Sequence, residues 1–197
     1  MASQNQLTGQ PIIILRDNVE QTRGHEAQRS NILAAKAISE AVRTTLGPRG
    51  MDKMLVAGDD ITITNDGATI LSELSVQHPG AKMVVEVATA QDDECGDGTT
   101  TAAIMVGSFM EQAERMLKMG IHPTNISKGY SLGMKKSLEI LSELAVNVTP
   151  DDKESLKKIA KTAMIGKTIE AVMEKAADIV VDAVATVAES SSGRVVI

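Results

Sequence analysis

Gly96-Asp97-Gly98-Thr99-Thr100-Thr101 is the stretch on which the reading of this chain turns. Two glycines bracket an acid, and the three hydroxyls run into Ala102-Ala103-Ile104-Met105-Val106-Gly107, an apolar segment that predicts a helix over 102–119. A helix start leaves backbone N–H groups unpaired and carries partial positive charge, so it suits an anion. Glycine at 96 and 98 lets the backbone approach a ligand with no Cβ in the way. Asp97 repels phosphate by itself and makes sense beside one when it holds a bridging cation such as Mg²⁺. Thr99, Thr100 and Thr101 are expected to cap the helix and to donate to phosphate oxygens. For the hexapeptide alone, a plain loop with a threonine N-cap is the competing reading. The first two turns of the helix are apolar on all sides, which predicts a buried end. An acid and three hydroxyls at a buried end need partners, and a metal–phosphate ligand supplies them.

Composition narrows the alternatives. Of 197 residues 43% are hydrophobic, yet Phe109 and Tyr130 are the only aromatic ones. The core must be built from Ile, Val, Leu, Met and Ala, and a mainly α fold with a small β-hairpin is expected. The net charge of −6 and the lack of aromatic platforms argue against a nucleic-acid partner. A bound adenine would lie against aliphatic side chains. The lone cysteine, Cys95, excludes an internal disulfide and fits a reducing compartment. No apolar run approaches the roughly 18 residues of a membrane span, and the N-terminus is too polar for a signal peptide. The expected location is the cytoplasm, with no membrane partner.

Upstream of the hexapeptide, Ile32, Ala35, Ile38, Val42 and Leu46 recur at helical spacing, and Gly47-Pro48 stops that helix. Thr44 to Gly50 then forms a rigid turn, locally no more than a helix stop. Met54-Leu55-Val56 and Ile61-Thr62-Ile63-Thr64 flank Ala57-Gly58-Asp59-Asp60 and predict a hairpin. Asn65-Asp66-Gly67 leads into a helix over 68–74. Asp66 is either a turn former or N-cap, or a carboxylate facing the phosphate site, where it would orient an attacking water. A helix over 81–93 turns Ala81, Val84, Val85 and Ala88 inward. It ends in Asp92-Asp93-Glu94, where the helix dipole is already negative. That run is solvated surface, or it marks a nearby cation. Cys95 is expected to be a small packed residue.

Downstream, Gly120 ends the central helix and His122-Pro123-Thr124 opens another to about 144, with Ile126, Tyr130, Leu132, Leu138 and Leu141 on an expected buried face. His25, His78 and His122 have no ligand spacing. Asn147-Val148-Thr149-Pro150 breaks the chain and places a domain boundary, giving domains 1–149 and 150–197. A lysine-rich helix over 151–163, with Leu156, Ile159 and Ala160 inward, is interrupted at Thr162 to Lys167. An amphipathic helix follows, carrying Ile169, Val172, Met173, Ala176, Val180, Ala183, Val184 and Val187. Ser190 to Gly193 reads as a flexible turn, and Arg194-Val195-Val196-Ile197 as a strand that is just beginning. Residues 1–10 are polar and expected to fray. Pro11-Ile12-Ile13-Ile14-Leu15 reads as a strand, either in its own core or free to pair with another chain.

Thr45-Leu46-Gly47-Pro48-Arg49-Gly50-Met51-Asp52, Thr64-Asn65-Asp66-Gly67-Ala68-Thr69-Ile70-Leu71, the hexapeptide and His122-Pro123-Thr124 occur in this order and spacing. Together they closely resemble the group II chaperonins, and archaeal thermosome subunits in particular, from residue 11 onward. The resemblance implies an ATP-dependent protein-folding chaperonin. Its partners would be other chaperonin subunits, in a double ring, and unfolded protein clients. It assigns 1–149 to the N-terminal half of an equatorial ATPase domain, a helical bundle, and 150–197 to the ascending, helical part of an intermediate domain. By the same resemblance Leu46, Gly47, Pro48 and Gly67 would line ATP or ADP, while Gly98, Thr99, Thr100 and Thr101 would hold phosphate. Asp97 would coordinate Mg²⁺ and Asp66 would help activate water. Lys167 would reach the γ-phosphate from a nucleotide-sensing loop, and the strand over 11–15 would make contacts within and between subunits. The family's apical domain, descending intermediate segment and second equatorial half do not follow here. The chain is therefore expected to be a fragment, inactive by itself and prone to self-associate. A small standalone kinase is disfavoured because no Walker A pattern is present. A helical protein that joins chaperonin rings without turnover is the third reading.

Overall fold

The structure, a computed structural model, describes residues 22–191 and 194–196, with side chains through residue 188. The strand expected over 11–15 lies outside the described residues. Seven α-helices and two hairpins follow one another: α1 Gly24–Arg43, β1 Lys53–Ala57, β2 Asp60–Thr64, α2 Gly67–Glu73, α3 Pro79–Cys95, α4 Thr99–Lys118, α5 Pro123–Leu144, α6 Lys153–Met164, α7 Met173–Val187, β3 Glu189–Ser191 and β4 Arg194–Val196. Both hairpins are antiparallel, with Lys53 opposite Thr64 in the first and Glu189 opposite Val196 in the second. The second hairpin was not anticipated, since only its returning strand carries an apolar run. Among the described residues no helix is long and apolar enough to cross a membrane.

The core lies where α1, α2, α3 and α4 meet. Val42, Ile70, Leu71 and Val84 are fully buried there, each worth about 1.5–3 kcal/mol of burial. The helical spacing of α1 delivers Ile32, Ala35 and Val42 inward as predicted, with Ile38 half-buried. Leu46 is instead exposed, because the helix ends at Arg43 and the row breaks with it. Ser39 sits in the same apolar row. Its hydroxyl donates across to Ala103 O of α4 at 2.7 Å, with Ala35 O of its own helix at 2.9 Å. Gly107 faces it so closely that a Cβ there would stand 2.3 Å from Ser39 Cβ. The missing side chain is what brings α1 and α4 together.

Three expected faces differ from what is found. On α4, Met105 is half exposed, so the first turns are not covered on every side. On α5 only Ile126 is buried; Leu132, Leu138 and Leu141 are exposed because none of the described residues packs over the distal part of this helix. On α7 the buried residues are Ala177 and Val181, whereas Val180, Val184 and Val187 are exposed, and Ile169 and Val172, also exposed, lie in a separate 3₁₀ helix, Thr168–Val172, before it. The cause is that α6 is its main partner: small Ala177 admits the neighbouring helix, and the bulkier row faces away. Ile159 of α6 is likewise exposed, with Leu156 and Ala160 half-buried. Three ion pairs line the α6–α7 seam: Lys153–Asp182 and Lys157–Asp178, both 2.7 Å, and Lys161–Glu174.

Candidate functional site

Gly96, Asp97 and Gly98 join α3 to α4 in three residues. Gly96 (φ +64°) caps the end of α3 and Gly98 (φ +82°) is the N-cap of α4, both in the left-handed region that favours glycine. The expected threonine cap is therefore corrected: Thr99 to Thr101 form the first helical turn, and the N-cap has no side chain to bond. The first intrahelical bond runs from Ala102 N to Gly98 O (2.9 Å), so the N–H groups of Thr99, Thr100 and Thr101 precede it and point out of the helix start. Thr99 is buried, Thr100 half-buried and Thr101 exposed. Asp97 is not at a buried end either; its side chain is 56% exposed on the rim. The loop is fastened from α3 by Gln91, whose Nε2 donates to Asp97 O at 2.9 Å.

Three other segments arrive at this rim. Asp66 is the N-cap of α2, and its Oδ2 accepts from both Thr69 N and Thr69 Oγ1 at 3.0 Å. Its Oδ1 faces the other way, 4.0 Å from Lys167 Nζ. The N-cap reading of Asp66 is thus realised through one oxygen, and the other is turned toward Lys167. Lys167 Nζ also lies 3.8 Å from Asp97 Oδ1, so one ammonium stands between two carboxylates from distant parts of the chain. These contacts are long and partly exposed, worth about 0–1 kcal/mol each. Gly67 abuts the start of α4: a Cβ there would be 2.3 Å from Thr100 Oγ1 and 2.8 Å from Thr100 N. The turn after α1 is closed by Gly50 N to Gly47 O (2.9 Å) and Met51 N to Thr44 O (2.9 Å). It touches the same place through Gly47 and Pro48, against which Gly166 packs. Leu46 opens that turn with its side chain half exposed.

Gly47, Pro48, Asp66, Gly67, Asp97, Thr100 and Lys167 are therefore gathered at one end of α4, with Gly98, Thr99 and Thr101 beside them in the chain. Three participants were missed by sequence reasoning: Asn65, whose Nδ2 donates to Gly166 O at 2.6 Å, Gly166 itself, and Gln91. Asn65 precedes Asp66 and Gly166 precedes Lys167, which is the signal that was there to use. Cys95, expected to be packed, is exposed. The histidines have a plainer use: the Nδ1 atoms of His78 and His122 accept from Gly80 N and Thr124 N and so cap α3 and α5.

The donor set suits a metal–phosphate ligand. Mg²⁺ binds through one or two carboxylates and completes its shell with phosphate and water oxygens, which is what Asp66 and Asp97 beside an uncapped helix start offer. A closed metal cage is not present: among the described residues no three His, Cys, Asp or Glu side chains assemble. Asp92, Asp93 and Glu94 are exposed on α3. A cavity of about 870 Å³ between α1, α4 and α5 lies elsewhere, along Met105 to Leu117 of α4, and no described carboxylate, lysine, arginine or histidine lines it.

Comparison with known proteins places the chain in a family. Residues 38–196 match the TCP-1/cpn60 chaperonin family. The chain is 54% identical over 190 residues to thermosome subunit beta of Archaeoglobus fulgidus, covering 96% of this chain and 35% of that one. It is 52% identical to a thermosome subunit of Methanopyrus kandleri and 55% identical to one of Pyrococcus horikoshii, with the same coverage of each chain. It thus spans about a third of the length of the relatives it matches. A family match over most of the chain identifies it as a member of the TCP-1/cpn60 chaperonin family.

Proposed function

We propose that this chain is the nucleotide-binding part of an ATP-dependent, protein-folding chaperonin of the thermosome type. The observation that carries the reading is the meeting of Asp66, Asp97 and Lys167 at the uncapped start of α4. ATP or ADP would lie with its phosphates on the N–H groups of Thr99 to Thr101 and with Gly47, Pro48 and Leu46 along its side. Gly67 leaves room for the two helix starts to meet there. Mg²⁺ when bound neutralises phosphate charge and polarises the bond to be broken. Asp97, exposed on the rim, would be its protein ligand. Asp66, held by Thr69 through one oxygen, turns the other toward Lys167 and the helix start, where it would orient an attacking water. Lys167 would meet the terminal phosphate, so that ligand state is felt in the segment that follows α6.

In this reading 1–149 is the N-terminal portion of an equatorial ATPase domain and 150–197 the ascending portion of an intermediate domain. ATP binding and hydrolysis would close a chamber around unfolded protein, within a ring of cytoplasmic subunits. The remainder of such a subunit would complete the site, so the chain alone is expected to turn over little ATP. The test is a chimera in which residues 1–197 replace the matching stretch of the Archaeoglobus fulgidus thermosome subunit beta. Asp97→Ala should abolish Mg²⁺-dependent ATP turnover, and Asp66→Ala should slow it by about 10²–10⁴-fold while nucleotide still binds. Near-normal turnover in Asp97→Ala would refute the metal role. Loss of nucleotide binding in Asp66→Ala would make it a binding residue instead.

A further inference from the structure

Gly166 is committed on three sides. Its carbonyl accepts from Asn65 Nδ2 at 2.6 Å, across 101 positions of sequence, and its N–H donates to Glu170 Oε2 at 2.8 Å. A Cβ on it would stand 2.8 Å from Gly47 O and 3.3 Å from Pro48 Cα, and its φ is +78°. Only glycine fits both that backbone and that approach. The β2–α2 turn, the 3₁₀ helix Thr168–Val172 and the turn after α1 thus each hold one part of a single residue. The next residue is Lys167, whose own ion pairs are too long and too exposed to fix the loop.

We propose that Asn65 is a positioning residue: its amide latches Gly166 to the turn that carries Asp66 and thereby sets where the Lys167 ammonium stands between the two carboxylates. The proposal rests on the nucleotide-site reading given above for what Lys167 does there. Because Asn65 and Asp66 are neighbours, one turn delivers both the carboxylate and the latch. Lys167, whose N–H donates to Met164 O of α6 at 3.2 Å, is therefore placed relative to Asp66 as well as to the end of α6. The bond runs from an amide N–H to a carbonyl, and aspartate offers only acceptors, so Asn65→Asp breaks the latch with almost no change of shape. It is also the bond that must open whenever Lys167 leaves the site.

Limited trypsin digestion tests the latch without nucleotide. Cleavage after Lys167 is read by mass spectrometry in the parent chain, Asn65→Asp, Asn65→Ala and Gly166→Ala, with Lys128 in α5 and Lys175 in α7 as references. Cleavage after Lys167 should rise about 2–10-fold in all three variants, with the references unchanged. An unchanged rate at Lys167 would overturn the latch. A uniform rise at all three lysines would mean that Asn65 supports the fold at large, and would overturn it equally. In the chimera, Asn65→Ala and Lys167→Ala should lower ATP turnover, and the double variant should lose no more than Lys167→Ala alone. Losses that multiply would show that Asn65 acts independently of Lys167. A chimera without turnover would sink the nucleotide reading and leave the digestion to decide the latch.

Discussion

Gly67→Ala bears on both the packing and the site. Gly67 is buried at the start of α2, and the added Cβ would lie 2.3 Å from Thr100 Oγ1, 2.8 Å from Thr100 N and 3.0 Å from Thr100 Cα. The hydroxyl could rotate away, but the backbone nitrogen could not. Bringing that contact to about 3.4 Å requires the two helix starts to separate by about 0.6 Å. Overpacking of this kind costs about 1–3 kcal/mol, and the ordinary gain from Gly→Ala of about 0.4–1 kcal/mol offsets part of it. The net loss is about 1–2 kcal/mol, or roughly 2–8 °C in melting temperature for a chain of this size. Gly129→Ala and Gly133→Ala are the controls. Both sit within α5 with nothing within 4 Å of the new Cβ, so each should raise stability by about 0.5–1 kcal/mol. Thermal unfolding followed by circular dichroism reads all three. A Gly67→Ala chain that melts at or above the parent would refute the claim that the two helix starts are in contact.

The α6–α7 pair should weaken in acid. Hydrogen bonds from Ser155 hold Asp152, and one from Lys153 holds Asp182, below the usual carboxylate range, so their stabilisation is present above that range and is lost as pH falls through it. Asp178 raises the Lys157 pKa, so that contribution persists below the ordinary lysine value and fades only in strong base. The stability difference between the parent and Asp182→Asn should accordingly hold at pH 6 and shrink as pH falls below the ordinary carboxylate value; a gap that does not narrow on acidification would refute the assignment. On α5, Leu138, Leu141 and Leu144 form an apolar face that no described residue covers, and the chain is expected to self-associate through it. Leu138→Glu with Leu141→Glu should shift sedimentation toward monomer at unchanged helix content; a parent that is already monomeric would end that expectation.

Much of the fold was legible because periodicity reports which side of a helix is apolar. It found the inward row of α1 and placed Ala81, Val84 and Ala88 on the buried side of α3. It cannot report whether anything covers that side, and for this reason Met105, Leu138 and Val184 were misjudged. The threonines after Gly98 look like caps by residue type, but the short α3–α4 connection needs left-handed backbone, and that hands the cap to a glycine. Asp66 was legible locally as a cap; its other oxygen faces a lysine 101 positions away. No local pattern encodes that meeting. It entered through resemblance of whole motifs, and the atoms that hold it, on Asn65 and Gly166, were visible only in three dimensions.

The seam between α6 and α7 has a consequence for motion. Its lysines recur every four residues on one helix and its acids every four on the other, running in opposite directions. A slip of one residue would break every pair together. A slip of a whole turn, about 5.4 Å, would re-form two of them, Lys157 with Asp182 and Lys161 with Asp178. The two helices therefore resist sliding by small amounts, and have discrete notches rather than a continuous range. On the nucleotide reading proposed for Lys167, a push that begins there would reach the far end of the α6–α7 pair as a rotation of the whole, with little lost to shear along the way.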